Sequence, residues 1–345
     1  MSLRAEIFEQ PAVLARLHER QGETVAEVAH AVRREGVGYV YLAARGSSDH
    51  AGVYALYAWG ALLGLPVALA APSLFSVYSR PPRLRGSLVV GISQSGQSPD
   101  IVAVLLEASR QGVPTLAITN DPGSPLAAAA RFVIETCAGS EAAVAATKTY
   151  TAQLMAIAML AAALADDPRF DGELGRVPGW VEETLELDPA VEAIAERYRF
   201  MDQCVVLGRG FDYATAREWS LKLKELTYVG AEPYSPSDFR HGPVAIVESG
   251  FPVLATVARG PVLSGVRELL ETLVTERGAE LLAISNDEAV LALASRPLPL
   301  PASLPEWLCP LVSIVPAQLF CYHLARAKGH DTERPRGLTK VTRTV

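Results

Sequence analysis

Ser93-Gln94-Ser95-Gly96-Gln97-Ser98 is a run of hydroxyl and amide side chains between an apolar stretch and a segment of helical pattern. Pro99 suits a first helical position and Ser98 the N-cap before it. Backbone amides at a helix start, with hydroxyls close by, suit a phosphate; the same residues would also make a solvent-exposed serine turn. Gly46-Ser47-Ser48 is a second turn of this kind, and the two together could grip one phosphate and one sugar hydroxyl face. Later in the chain, Glu218, Lys222 and Glu225 follow i, i+4, i+7 spacing and share one helix face, while Lys224 points elsewhere. Spacing alone reads this as a solvated ion-pair stripe. Ser235 to Pro243 is a polar loop bearing His241, a side chain that titrates near neutral pH and can open a sugar ring by moving protons. A loop histidine is also often incidental. Gly208-Arg209-Gly210-Phe211-Asp212-Tyr213 starts like a dinucleotide fingerprint, with Glu232 about twenty residues on. Tyr213, however, stands where a third glycine should let helix and strand approach.

The elements that must position these residues follow a repeated grammar: a short apolar run, a Gly/Ser/Asn turn, then a helical pattern. Val37–Ala43, Leu88–Ile92, Thr115–Thr119 and Phe132–Ile134 are such runs, and Cys204–Leu207 starts the series again. Apolar runs without alternation, separated by helical patterns, predict a parallel sheet covered on both faces, hence an α/β, doubly wound fold. Arg45-Gly46 and Arg209-Gly210 lie 164 positions apart, as do Phe75 and Phe239, each in a loop bearing Ser and Pro. Ile118-Thr119-Asn120-Asp121 matches Ile284-Ser285-Asn286-Asp287 at an offset of 166. Near-constant offsets predict a duplication of whole domains. The expected division is a helical segment at 1–35, one α/β domain at 36–170, a second at 195–328, and a polar, basic tail at 329–345 with Arg334, Arg336, Lys340 and Arg343. Turn signals at Asp166-Asp167-Pro168, Asp171-Gly172 and Val177-Pro178-Gly179 place the boundary between Asp166 and Glu196.

The chain has 345 residues, half of them apolar and a fifth charged, with a net charge of −7. An acidic chain with no Lys/Arg block is a poor candidate for nucleic acid. Ala51 to Ser79 carries no charge, but Gly60, Gly64, Pro66 and Pro72 interrupt it. It reads as a buried helix to Leu63, a turn, and a strand Val67–Ala71, not as a membrane span. Met1 to Gln10 has no apolar core and does not read as a signal peptide. Cys137, Cys204, Cys309 and Cys321 show no metal or redox spacing, which fits buried free thiols and a cytoplasmic setting. No metal-ligand cluster is visible, and no cofactor is expected.

Taken together, Glu6-Ile7-Phe8-Glu9-Gln10-Pro11, Gly46-Ser47-Ser48, Ser93-Gln94-Ser95-Gly96, Val144-Ala145-Ala146-Thr147-Lys148, Leu221-Lys222-Leu223-Lys224-Glu225, His241-Gly242-Pro243 and Pro335-Arg336-Gly337-Leu338-Thr339-Lys340 resemble the sugar-isomerase (SIS) family. The resemblance is to the isomerase half of glucosamine-6-phosphate synthase and to SIS-type glucosamine-6-phosphate deaminases. It implies two tandem SIS domains. It also implies that Ser93, Gln94, Ser95 and Ser98, with Gly46, Ser47 and Ser48, hold the phosphate, and that Val144 and Thr339 line the sugar. Glu225 would move a proton between carbons 1 and 2, with Lys222 beside it. His241 would catalyse ring opening from the neighbouring subunit of a homodimer, and Lys340 would meet the open-chain carbonyl. Because the synthase carries a glutaminase domain with a terminal cysteine and this sequence has no cysteine before Cys137, the expectation is a chain without that domain, releasing ammonia from glucosamine 6-phosphate. An isomerase or deglycase acting on another amino sugar phosphate, and a sensor that binds without chemistry, are the alternatives. Trp219-Ser220 stands where relatives carry smaller residues, which bears on pocket size.

Overall fold

A computed structural model describes residues 2–340; Met1 and residues 341–345, Arg343 of the tail among them, lie outside the described residues. The chain opens with two helices, α1 (Leu3–Phe8) and α2 (Gln10–Arg34). The first repeat follows as β1 (Tyr39–Ala43), α3 (Ser47–Leu63), β2 (Val67–Leu69), α4 (Ser73–Ser76), β3 (Ser87–Ile92), α5 (Pro99–Arg110), β4 (Thr115–Thr119), α6 (Pro125–Ala129) and β5 (Phe132–Glu135). Helices α7 (Lys148–Ala165), α8 (Pro168–Leu174), α9 (Val177–Leu185) and α10 (Asp188–Arg197) lead to the second. That repeat comprises β6 (Gln203–Leu207), α11 (Asp212–Lys222), β7 (Gly230–Tyr234), α12 (Pro236–Arg240), β8 (Pro252–Val257), α13 (Leu263–Thr275), β9 (Glu280–Ser285), α14 (Glu288–Leu293), β10 (Arg296–Pro299) and α15 (Cys309–Ala327).

The chain divides into two compact units. One holds residues 12–141, 148–176 and 339–340; the other holds 2–11, 142–147 and 177–338. Each contains one five-stranded sheet, in the orders β2-β1-β3-β4-β5 and β10-β9-β8-β6-β7, and every strand pair is parallel. The second order, read from its far edge, repeats the first, and corresponding strands begin 163 to 165 residues apart. The duplication expected from the sequence is therefore a duplication of topology.

Strands β3 and β4 are buried along their whole length, as a parallel sheet covered on both faces requires. The β3 residues Leu88–Ile92 have no polar side chain to give to water, so helices must cover both sides. One face of the first sheet packs Val89, Ala117 and Ala43 against Ile101, Val104 and Leu105 of α5. In the second unit Val253, Ala255, Leu281 and Ala283 pack against Val266, Leu269 and Leu270 of α13. Two helical segments, Lys148–Ala165 and Glu306–Ala327, are long and apolar enough to cross a membrane, but 83% and 94% of their apolar windows are buried inside the protein.

The structure refines three readings. The turn signals between Asp166 and Glu196 fall among the helices α8 to α10. Pro168 and Pro189 fall at the starts of α8 and α10, where a missing N–H costs no helical bond, and Asp167 caps α8 through its side chain. The loops around Phe75 and Phe239 are single helical turns, α4 and α12. The tail is bonded to the second unit over part of its described length. Glu333 accepts from the Leu3 amide at 3.0 Å, and the Tyr228 hydroxyl accepts from the Arg336 amide at 2.8 Å.

Candidate functional site

In the first unit, β1 and β3 are parallel neighbours with Ala43 opposite Gly91, and the chain leaves them toward opposite sides of the sheet. The crevice beyond their carboxyl ends is the switch point at which such sheets bind ligands. Gly46-Ser47-Ser48 follows β1, and Ser93 to Ser98 follows β3. Gly46, at φ +56°, turns the chain into α3, leaving Ser47 and Ser48 in its first turn. Arg45 braces the two turns by donating to Asp100 Oδ2 at 2.9 Å, a carboxylate only 1% exposed in the first turn of α5.

The Ser93–Ser98 turn is held from inside. The Ser93 hydroxyl accepts from the Gly96 amide at 3.2 Å, and the Ser95 hydroxyl accepts from Gln97 at 3.3 Å. A hydroxyl that accepts in this way keeps its own proton to donate outward, toward an anion. The Gln94 carbonyl accepts from the Asn120 amide at the end of β4. Ser98 takes the N-cap position, yet its hydroxyl makes no capping bond, contrary to the usual role. Gly96 is obligatory: it has φ +61°, and an added Cβ would lie 2.1 Å from Ser124 Oγ.

The same unit holds the end of the described tail. Thr339 is exposed, and Lys340 Nζ lies 2.7 Å from Glu141 Oε2. Glu141 is fully buried on its side chain and also accepts from Thr149 Oγ1 at 2.7 Å and from its amide. Lys148, 1% exposed, donates to the Ser140 carbonyl. Lys340 is thus an ion-pair partner here, and meeting a carbonyl would require it to leave Glu141.

In the second unit, α11 passes into a single π turn, Leu223–Thr227, which Tyr228 closes in the left-handed region at φ +57°. Such π turns are frequent at functional sites. Lys222 Nζ lies 3.3 Å from Glu218 Oε1 and bonds more closely to Glu225 Oε2. The solvated-stripe reading fails. Glu218 and Lys222 are 0% and 2% exposed on their side chains, and only Glu225, at 23%, reaches solvent. Burial by itself would push the Lys222 ammonium toward neutrality. The pull of Glu218 and Glu225 outweighs that and holds its pKa above the ordinary lysine value.

Val144 is half-buried in the segment 142–147. Glu6, fully buried, fixes that segment by accepting from the Ala142 and Ala143 amides at 2.5 and 3.2 Å. His241 is exposed at the end of α12, and no described bond joins it to the Lys222–Glu225 group. Trp219 does not line a pocket. It is fully buried, edge-on to Phe320 at 5.9 Å. Glu6 and Glu141 are residues that sequence reasoning passed over as participants; their signal is a carboxylate inside or beside a run of apolar and small residues.

The second sheet has the same crevice beyond β6 and β8, and a glutamate side chain closes over the turn there. Glu306 lies across the turn after β8, so close that a Cβ added at Gly260 would sit 2.3 Å from its carboxyl carbon. Asp212, buried beside it, has its carboxyl pushed up to about 7 by desolvation, despite bonds from Cys309 and the Ala258 amide. At Gly208 an added Cβ would lie 2.4 Å from the Asp212 carbonyl, so the close helix–strand approach is made there and needs no glycine at Tyr213. Burial raises all four thiols, Cys204 to about 12, so none is a ready nucleophile. Among the described residues no group of three or more His, Cys, Asp and Glu side chains could hold a metal ion.

The model of the SIS domain family matches residues 37–163 and 201–327. The glutamine–fructose-6-phosphate aminotransferase (isomerizing) of a Thermus thermophilus strain is 36% identical over 97% of this chain, which spans 57% of that relative's length. The solved C-terminal domain of glucosamine-fructose-6-phosphate aminotransferase from Francisella tularensis is 30% identical, with a TM-score of 0.87, over 96% of this chain and 98% of that one. Glucosamine-6-phosphate deaminase from Thermotoga maritima shares the fold at a TM-score of 0.80 and 22% identity, over 100% of both chains.

Two outcomes follow. Gly96→Ala should weaken binding of glucose 6-phosphate by about tenfold or more in calorimetry, through loss of charge-assisted hydrogen bonds; unchanged affinity would remove the turn as the phosphate seat. Asp212 binds its proton more tightly folded (about 7) than unfolded (about 3.9). It therefore lowers stability as pH rises between those values, by up to ~1.4 kcal/mol per pH unit. Denaturant titrations of Asp212→Asn should show the variant gaining on the wild type from pH 4.5 to 7.5, and a constant difference would contradict this.

Proposed function

The chain belongs to the SIS domain family, and from that membership we propose that it is a phosphosugar aldose–ketose isomerase that deaminates glucosamine 6-phosphate to fructose 6-phosphate and ammonia. The observation that carries the reading is the Lys222 ammonium buried between two carboxylates, of which Glu225 alone reaches solvent. The aminotransferase relatives are named for chemistry on fructose 6-phosphate, and the deaminating direction asks for nothing beyond the sugar phosphate and water.

In this reading the phosphate is taken by Ser93, Gln94, Ser95 and Ser98, with Gly46, Ser47 and Ser48 beside them. Val144 and Thr339 contact the sugar. His241 moves a proton from the anomeric hydroxyl to the ring oxygen and opens the ring. Its exposure suits supply to a neighbouring copy, so the protein is taken as a homodimer. Glu225 removes the hydrogen on carbon 2, which the adjacent aldehyde makes acidic, and returns a proton to carbon 1. The carbon-1 aldehyde becomes a hydroxymethyl group, its oxygen taking a proton given up by the amine, and the carbon-2 amine becomes an imine; water then cleaves that imine to the ketone and ammonia.

Lys222 is too buried to touch the sugar; it positions Glu225 and supplies a fixed positive charge behind it. Lys340 is the cation available to the developing oxyanion once it leaves Glu141. Four buried free thiols suit a reducing cytosol.

Purified protein given glucosamine 6-phosphate should release ammonia and fructose 6-phosphate in equal amounts. Glu225→Gln should cut that rate by about 10²–10⁴-fold, the usual contribution of a general base. Wild-type protein that binds the sugar phosphate without turning it over would favour the sensor reading. Full activity in Glu225→Gln would assign the proton transfer to another group.

A further inference from the structure

On the second unit, away from its closed crevice, lies a cavity of about 510 Å³. Three stretches of chain form it: the turn from α10 into β6 (Arg199, Phe200, Asp202), the end of the π turn (Thr227, Tyr228), and the exit of α15 with the segment beyond (Lys328, His330, Arg336). Four basic side chains face one acid. That acid, Asp202, is 97% exposed on its side chain and stands 3.9 Å from Lys328 Nζ, a loose partner for a lysine whose side chain is only 11% exposed. Arg336 lies over the Tyr228 ring, 4.2 Å from its centroid, and the His330 ring packs against the same tyrosine at 4.7 Å. Burial, and then the two neighbouring cations Lys328 and Arg336, hold His330 below its ordinary pKa.

At the rim, Phe200 is 80% exposed, the most exposed large apolar side chain described. The Arg199 guanidinium lies over its ring at 4.9 Å and is itself tied to Glu196. An isolated exposed phenylalanine needs no explanation, but one standing at the mouth of a basic cavity offers a flat apolar surface beside an anion seat. The volume falls in the range of small-molecule sites. Cations for a phosphate, with an aromatic face for a planar ring, match a nucleotide, since bases stack on aromatic side chains whatever their identity. A sugar phosphate has no planar ring to place on Phe200.

We propose that this cavity binds a nucleoside phosphate, with the phosphate between Lys328, His330 and Arg336 and the base on Phe200. The site does not depend on the proposed reaction. Its consequence for the enzyme comes from Tyr228, which closes the π turn that carries Glu225, so an occupant held against Tyr228 bears on the placement of that carboxylate.

Calorimetry with AMP as the probe tests this. Wild-type protein should bind one AMP per chain with millimolar or better affinity, undiminished by saturating fructose 6-phosphate. Arg336→Ala should weaken AMP by about tenfold, the equivalent of one ion-paired contact. Phe200→Ala removes an exposed ring and no core contact. It should weaken AMP while leaving inorganic phosphate binding unchanged. No binding at millimolar AMP would overturn the proposal. So would AMP that fructose 6-phosphate displaces and that Ser95→Ala abolishes, because the ligand would then occupy the first unit's turn. Equal affinity for AMP in Phe200→Ala and wild type would remove the aromatic half of the assignment.

Discussion

An ammonium held out of water is the constraint from which the second unit's chemistry follows. Lys222 keeps its charge only because Glu218 and Glu225 lie on two sides of it, and Glu218 has no exposure at all. Removing Lys222 would strip from the buried Glu218 carboxylate the counter-charge it supplies, a cost of about 3–5 kcal/mol. The three residues are therefore one unit, and the two that cannot reach solvent fix the one that can. The π turn completes the arrangement. By inserting an extra residue at the end of α11 it brings Glu225 back onto Lys222, and Tyr228 stops the helix directly afterwards.

The duplicated sheets show how one topology can be put to two uses. Both have the same strand order and the same crevice between the first and third strands of the repeat. In the first unit that crevice presents hydroxyls whose acceptor sides are already occupied by backbone amides, which leaves donors for an anion. In the second, Glu306 lies across the matching turn and Asp212 is buried beneath it. Two acidic side chains thus stand where the first unit presents hydroxyl turns, with the strands around them unaltered. The sheet sets where a ligand can sit, and a few turn residues set whether one does.

Strand runs, the glycine and serine turns and the duplication were legible in the sequence, because a fully buried parallel strand must be apolar throughout and a turn at positive φ favours glycine. Gly46 and Gly96 carry that signal. The helices between Asp166 and Arg197 were only partly legible, because Pro168 and Pro178 read as turn signals although each lies in the first turn of a helix, where proline costs least. Burial was the other gap. The i, i+4, i+7 spacing of Glu218, Lys222 and Glu225 is the same on a wet face as on a dry one, and only packing against neighbours such as Trp219 distinguishes them. Glu6 and Glu141 were hidden for a related reason. Their partners, Ala142 and Lys340, lie 136 and 199 residues away, beyond any local pattern.

The account rests on Glu225 carrying the hydrogen from carbon 2 as a proton. Glucosamine 6-phosphate bearing deuterium at carbon 2 tests that directly, with the label followed into fructose 6-phosphate and water by NMR. A proton parked on a carboxylate that touches the Lys222 ammonium can exchange before it is returned, so the account predicts that at least part of the label reaches water and that Glu225→Gln releases none. Label release by Glu225→Gln equal to that of the wild type would place the base elsewhere and contradict the account.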